Sequence, residues 1–360
     1  MEKSSWQKGG EINTSAVRLV VAVGLLAACL ETGAQGVAGT SGAYLRPPMG
    51  AAAMAMGGAC TASPDHYAPW WNPAVLANLR DRRLAAGTGM RWLGTSMDGY
   101  GSFEFRVPPR VGMGILALYR GNPSLGTLYD VDDRPLPSAS YTTLTIKTAV
   151  SYYFSRRISL GACVNVLHQS LPVPLYGAGG GIQYASATGI GGFDFAAAYR
   201  PSDAWALGAV LKNIAAGMEW QMGDLAPLVE DRPLPSLTIG SRYAADCAGK
   251  PLIWTMDCVG YIFGEVWEQS GNAEAVFSTG AEWRRWDNFY VRAGIGDVPV
   301  NGSMFRKEEH YSRQFGMRLT AGFSYDLSKR VRKGLWINYA TATDKVWAGL
   351  DQQLDVTLSF

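Results

Sequence analysis

The sequence predicts an all-β fold: an antiparallel barrel of fourteen strands that crosses a membrane. Three observations predict it. The first is Asp351 to Phe360, where Asp351, Gln353, Asp355, Thr357 and Ser359 alternate with Gln352, Leu354, Val356, Leu358 and Phe360. A strand sends successive side chains to opposite faces, so this stretch has one polar and one apolar face. The second is the connections, which alternate between tight and long after the first hairpin. The third is composition. Charged residues make up 17% of the chain and apolar ones 48%, with 12 Trp, 17 Tyr and 43 Gly. A soluble chain averages about 25% charged. No run of about 18 apolar residues follows the N-terminus, so helical spans are excluded and alternating strands remain.

The chain opens with Lys3, Lys8 and Arg18 before the apolar run Leu19 to Cys29. That is the pattern of a secretory signal, too short to span a membrane. Thr32-Gly33-Ala34 offers an ordinary cleavage site before Gln35, giving residues 1–34 as the signal peptide. Leu26-Ala27-Ala28-Cys29 offers a competing lipoprotein site. The ordinary cut is preferred, since a barrel anchors itself. Cys60, Cys163, Cys247 and Cys258 remain, irregularly spaced and with no Cys-x-x-Cys pair, so neither a metal site nor a specific disulfide is expected.

Residues 35–82 precede the first strand. The small-residue run Gly50 to Ala59 suits a short helix packed closely on other backbone. Asn72 before Pro73 favours a turn, with Pro73 at the first position of a one-turn helix. The pattern Arg46, then Met56-Gly57-Gly58-Ala59, then Asn72-Pro73-Ala74-Val75-Leu76 leading into strands, resembles the N-terminal region of the FadL-like outer-membrane barrel superfamily. It is most similar to the PorV/PorQ branch. Gly192-Phe193-Asp194, Tyr199-Arg200-Pro201, Lys212-Asn213-Ile214 and Leu234-Pro235 resemble later blocks of that branch more weakly. The resemblance implies that this segment is a hatch inside the lumen, with Met56, Gly57, Gly58, Asn72, Pro73 and Ala74 as its motif. It also implies a function. FadL-like relatives take up hydrophobic small molecules passively, with lateral exit through a strand kink. PorV-like relatives act as scaffold or shuttle in type IX secretion. Transport is the first expectation and the secretion role the alternative.

The barrel occupies residues 83–360. Its expected strands are 83–93, 98–108, 110–120, 143–155, 158–169, 187–200, 205–216, 236–245, 252–263, 275–286, 288–296, 313–327, 335–342 and 351–360. Most have the roughly 9–11 residues that a tilted membrane strand needs. In 143–155, Leu144, Ile146, Val150, Tyr152 and Phe154 oppose Thr143, Thr145, Lys147 and Ser151. The glycine-bearing strands 110–120 and 187–200 are the candidates to bend. Pro108-Pro109, Arg156-Arg157, Pro201 to Ala204 and Trp286-Asp287 are tight connections. The segments 121–142, 170–186, 217–235, 264–274 and 297–312 are long. Outer-membrane barrels have short periplasmic turns and longer external loops, and both chain ends then fall in the periplasm. Trp92, Tyr119, Phe154, Trp205, Trp254, Phe263, Trp286 and Phe289 sit near strand ends, as interfacial girdles do. Closing strands of such barrels end in Phe with apolar residues third and fifth from the end. Phe360, Leu358 and Val356 are therefore the expected signal to the barrel-assembly machinery.

Inward parity collects Glu104, Arg106, Lys147, Asp194, Arg200, Lys212, Arg242, Asp257, Glu282, Arg284, Arg292, Arg318, Asp326 and Asp355. A charge facing lipid at mid-membrane costs about 2–4 kcal/mol for Arg or Lys, so these belong in the lumen. There they either grip the hatch or a ligand, or pair with one another as filler. Catalysis is not expected. The chain has three His, and His168 with Gln169 and Ser170 lacks a placed partner. Asp130 to Asp133 is read as a solvated tip, and Gly177 to Gly181 is no phosphate cradle because no strand-to-helix context surrounds it. Net charge is +2, which gives no nucleic-acid footprint. The expectation is a monomer without metal or cofactor in the outer membrane of a Gram-negative-type bacterium. Its partners would be lipid, the assembly machinery, and a hydrophobic ligand or secreted proteins.

Overall fold

The computed structural model describes residues 43–62, 66–91, 96–122, 139–175, 181–222, 229–247, 249–262, 274–300, 317–328, 334–343 and 349–360. The signal segment and the cleavage choice lie outside these residues, as do Trp92, Phe263 and 130–133.

Sixteen strand segments follow the N-terminal segment. They are β1 Arg83–Arg91, β2 Ser96–Val107, β3 Val111–Asn122, β4 Tyr141–Tyr153, β5 Ile158–Leu175 and β6 Gly181–Tyr199. Then come β7 Trp205–Ile214, β8 Gly217–Met222, β9 Val229–Asp231, β10 Ser236–Cys247 and β11 Lys250–Tyr261. The last are β12 Glu274–Trp286, β13 Phe289–Pro299, β14 Arg318–Asp326, β15 Leu335–Thr343 and β16 Leu350–Ser359. Every pairing is antiparallel, and β1 pairs with both β2 and β16, which closes the ring. β7 and β8 both pair with β6, one above the other. β9 pairs with β8, and β10 with β7. Each of these two couples is one interrupted stave, so the wall has fourteen staves. The two ends of the wall meet at the tight-turn side, where Arg82 and Phe360 exchange two backbone hydrogen bonds of 3.0 Å.

The alternation read from sequence sets the two faces. In β4, Thr143, Thr145, Lys147 and Ser151 are buried while Leu144, Ile146, Val150 and Tyr152 face outward, as does Phe154 just past its end. In β16, Asp351, Gln353, Asp355 and Thr357 are buried while Leu354, Val356 and Phe360 are exposed. Large apolar side chains stand exposed on nearly every stave, among them Leu84, Ile115, Phe195, Ile239, Trp254 and Leu319. A monomer in water rarely shows a contiguous apolar patch beyond a few hundred Å². An apolar belt around a whole ring fits lipid.

Three expectations need correction. The segment 170–186 is mostly strand, because β5 and β6 run on past the ring as a hairpin. Pro172 and Pro174 argue against a central strand. However, β4 pairs with β5 only as far as Ser170, so beyond it no described strand meets that edge of β5 and a missing N–H breaks no described ladder. The segment 217–235 likewise holds β8 and β9 rather than a plain loop. The stave 110–120 does not bend, since β3 keeps unbroken register with both neighbours.

The bend falls on the other candidate. β6 shifts register against β5 between Asn165 and Val166, and against β7 between Phe193 and Phe195. Gly192 has φ of 109°, and Asn213 and Ala215 are left-handed at 60° and 54°. Bulges of this kind bend a strand and end its pairing. The adjoining stave breaks too, over 232–235 between β9 and β10. Pro233 and Pro235 have no N–H to give to a ladder. The result is a break in the ladder, here called the window, between Asn213–Gly217 and 232–235, and Asn213 Nδ2 spans it by donating to Leu234 O at 3.0 Å.

The core lies between the inner wall and residues 43–79. Met49, Tyr67 and Trp70 pack on Ala85, Tyr100, Leu116 and Leu118. Ala68, Val75, Leu76 and Leu79 pack on Ala149 and Cys163, and Ala51, Met54 and Ala55 on Ala340 and Ala342. The approach is backbone to backbone at Gly57, where φ is 71° and a Cβ would stand 2.5 Å from Ile295 O.

Candidate functional site

Residues 43–79 contain helices of only a few residues, Ala51–Ala55 and Ala68–Trp71, and 3-10 turns at Ala43–Leu45 and Pro73–Asn78. Such short elements leave most backbone N–H and C=O groups unmatched, and inside a protein each needs a partner. The inner wall supplies them. Asp355 Oδ2 accepts from Ala51 N at 2.7 Å. Asp257 Oδ2 accepts from Cys60 N and Thr61 N, each at 2.9 Å. Glu104 Oε1 accepts from Ala68 N at 2.7 Å. Two of these carboxylates thus meet the start of a short helix.

Carbonyls of the segment receive cations and amides. Arg91 Nη2 donates to Pro48 O at 3.3 Å, and Gln353 Nε2 to the same oxygen at 2.9 Å. Arg120 donates to Tyr44 O and, at 3.5 Å, to Pro47 O. Lys212 Nζ donates to Trp70 O at 2.9 Å. The segment also holds itself together. Asn72 Oδ1 accepts from Ala74 N at 3.0 Å and caps the turn that Pro73 begins, while Asn72 Nδ2 donates to Thr61 O at 2.7 Å. Met56, Gly57 and Gly58 form the turn after the first helix, and Gly57 N donates to Thr320 Oγ1 at 3.1 Å. His66 stays neutral: burial first, then the charges of Arg83 and Arg292, push its pKa down to about 3.

The remaining inward charges pair within the wall. Lys147 Nζ lies 2.7 Å from Asp194 Oδ2, and Asp194 Oδ1 also accepts from Asn165 Nδ2 and Asn213 N. Glu282 binds Arg284 and Arg292, each at 2.6 Å. Arg318 sits 2.9 Å from Asp297 and 3.7 Å from Asp351. Asp98 bridges Arg91 and Arg120 at 2.8 and 3.0 Å. So of the expected lumen charges, Glu104, Lys212, Asp257 and Asp355 hold the segment. Lys147 pairs with Asp194, Glu282 with Arg284 and Arg292, and Arg318 with Asp297 and Asp351. Arg106 and Arg200 have the inward parity but stand exposed at the turns, and Arg106 Nη2 donates to Pro109 O. Arg242 and Asp326 are half-buried near the same rim. Parity gives the face of a side chain and not its depth. The expected set omitted Arg91, Asp98 and Arg120, although their parity with Gly89, Tyr100 and Leu118 was the same signal.

A cavity of about 90 Å³ lies between the segment and the wall, bordered by Trp70, Thr145, Lys147, Lys212, Asn213 and Asp257. Leu234 and Ser236 line it as well, so it opens against the luminal side of the window. His168 is elsewhere. It faces outward, with Nδ1 2.7 Å from Thr188 Oγ1. Cys163, Cys247 and Cys258 are free thiols. Among the described residues no cluster of His, Cys, Asp and Glu has the makings of a metal site.

No family model and no curated protein sequence matches the chain. Solved structures match it in fold. The Ralstonia pickettii toluene transporter TbuX superposes with a TM-score of 0.54 at 16% identity, over 87% of this chain and 97% of that one. The Pseudomonas putida toluene transporter TodX gives 0.55 at 15% identity, over 87% and 97%. The monoaromatic hydrocarbon channel CymD gives 0.55 at 15%, over 87% and 98%. At these identities the likeness is one of fold.

Proposed function

We propose that the protein is a passive outer-membrane conduit for small molecules with an apolar body. Residues 43–79 act as its luminal hatch, and cargo leaves sideways through the wall window. The observation that carries this reading is the contact between window and cavity, since Lys212, Asn213, Leu234 and Ser236 border both. A molecule held behind the hatch has a short path through the wall into the apolar phase and need not pass the gripped segment. The FadL-like resemblance of the N-terminal motif and the hydrocarbon-channel folds support the same direction. The PorV-like secretion role has no support among these folds. Val356, Leu358 and Phe360 are the assembly signal in this reading, on the outward face of the closing stave apart from the half-buried Leu358.

Uptake of toluene, benzoate and 4-hydroxybenzoate by cells that make the protein tests it. Uptake of at least one should exceed that of cells without it. The double variant Pro233→Val with Pro235→Val restores two N–H donors, lets the ladder continue across 232–235, and should return that uptake toward the background. Equal uptake of all three with and without the protein, or full uptake through the restored wall, overturns the proposal.

A further inference from the structure

We infer that the cavity behind the window recognises a small hydroxylated carboxylate, so the cargo is an anionic, hydroxyl-bearing molecule rather than a neutral hydrocarbon. The inference rests on the conduit reading and narrows its substrate class. It starts from polar groups that the fold leaves short of partners. Thr145 is 1% exposed, and its hydroxyl has no hydrogen-bond partner among the described residues. Asp257 is 2% exposed. Its Oδ2 is occupied by the amides of Cys60 and Thr61, while Oδ1 is buried without a partner among the described residues. Lys212 carries three N–H donors and makes one hydrogen bond among the described residues, to Trp70 O, with its ammonium 5.7 Å from the Trp71 ring centre. All three residues line the same cavity.

Buried polar groups of native proteins are almost always satisfied, so two unsatisfied ones and an ammonium with donors to spare around one space describe what belongs there. The space is about 90 Å³, several times the roughly 10–15 Å³ that one water needs. Lys147 is already neutralised by Asp194, so Lys212 is the cation with donors to spare, and it calls for an anionic acceptor. Asp257 Oδ1 calls for a donor, which a hydroxyl supplies and a bare carboxylate does not. Thr145 serves either. Trp70, Trp71, Leu167, Val259 and Tyr261 give the same space flat and apolar walls for the rest of the molecule. A neutral hydrocarbon would displace water from these groups and return no hydrogen bond, which loses affinity.

The test is calorimetric binding of 4-hydroxybenzoate, benzoate and toluene to the detergent-purified barrel. 4-Hydroxybenzoate should bind at least tenfold more tightly than toluene and more tightly than benzoate. Lys212→Met and Thr145→Val should each weaken it about fivefold or more. Thr145→Val keeps the side-chain shape and tests the site even where Lys212→Met disturbs the segment. Toluene binding as tightly as 4-hydroxybenzoate overturns the inference, as does 4-hydroxybenzoate binding that Thr145→Val leaves unchanged. No measurable binding overturns it too and leaves the cavity to water. Binding needs no passage, so the two proposals fail separately. Lost binding with toluene uptake intact removes only the hydroxy acid. Intact binding with no uptake of any of the three molecules removes only the conduit.

Discussion

At the scale of residues, the inner wall uses charge where ordinary proteins use secondary structure. The carboxylates of Asp355 and Glu104 do the work of helix caps, Asp257 holds two further N–H groups, and a hydrogen bond to a charged group contributes about 1.5–3 kcal/mol. His66 shows the cost of the arrangement. Its pKa is pushed down from 6.5 to about 3, so the folded state takes up its proton later than the unfolded state does. A group with a depressed folded pKa of this sign adds no penalty above the unfolded value. Below it the unfolded chain binds the proton first, and stability is lost as pH falls from about 6.5 towards 3. Thermal unfolding in detergent should therefore weaken between pH 7 and pH 5 in the natural protein and weaken less in His66→Gln. Parallel losses in the two would show that His66 is not the titrating group.

At the scale of elements, the staves are legible in the sequence because lipid outside and polar groups inside force a period of two. That alternation alone assigns a face to Lys147, Asp355 and Val356. The first helix and the Asn72-Pro73 turn are legible from small residues and proline. The extended β5–β6 hairpin is not, because Pro172 and Pro174 deny a strand only where a neighbour lies on the N–H side, and the ending of β4 at Tyr141 is a matter of register. The window is half legible. Glycine marks β6, but the break opposite depends on Pro233 and Pro235 facing a bulge in another stave. Nor does spacing show which charges hold the segment, since Asp257 and Cys60 stand 197 residues apart in the chain. One docking contact tests the packing of the segment as a unit. A Cβ on Gly280 would lie 2.5 Å from Met56 O, so Gly280→Val must push the Met56–Gly58 turn off the wall at about 1–3 kcal/mol. Cys60 is a buried cysteine on that same segment. With Cys163, Cys247 and Cys258 changed to Ser, maleimide should label Cys60 faster in Gly280→Val than in its parent. Equal rates would mean that the turn does not depend on this contact.

At the scale of the whole molecule, ring size leaves room for an internal segment. Eight strands give an interior that side chains fill, whereas sixteen to eighteen leave an aqueous channel. Fourteen staves lie near the upper case, and the space is taken by residues 43–79, which contribute no strand to the wall. The two parts are therefore separable. The ladders from β1 round to β16 are complete without the segment, and the charges it leaves behind would be solvated by water entering the lumen. A chain that lacks residues 43–79 should still assemble as a detergent-stable, heat-modifiable barrel. In planar bilayers it should conduct steadily, and in liposomes it should admit small sugars, where the intact protein does neither. A truncated barrel that folds and stays closed would move the barrier to some other part of the chain and would remove the hatch from the transport reading. A truncated chain that cannot fold would show that the wall and the segment stand only together, because the grips from Glu104, Asp257 and Asp355 then stabilise the ring as much as they hold the segment.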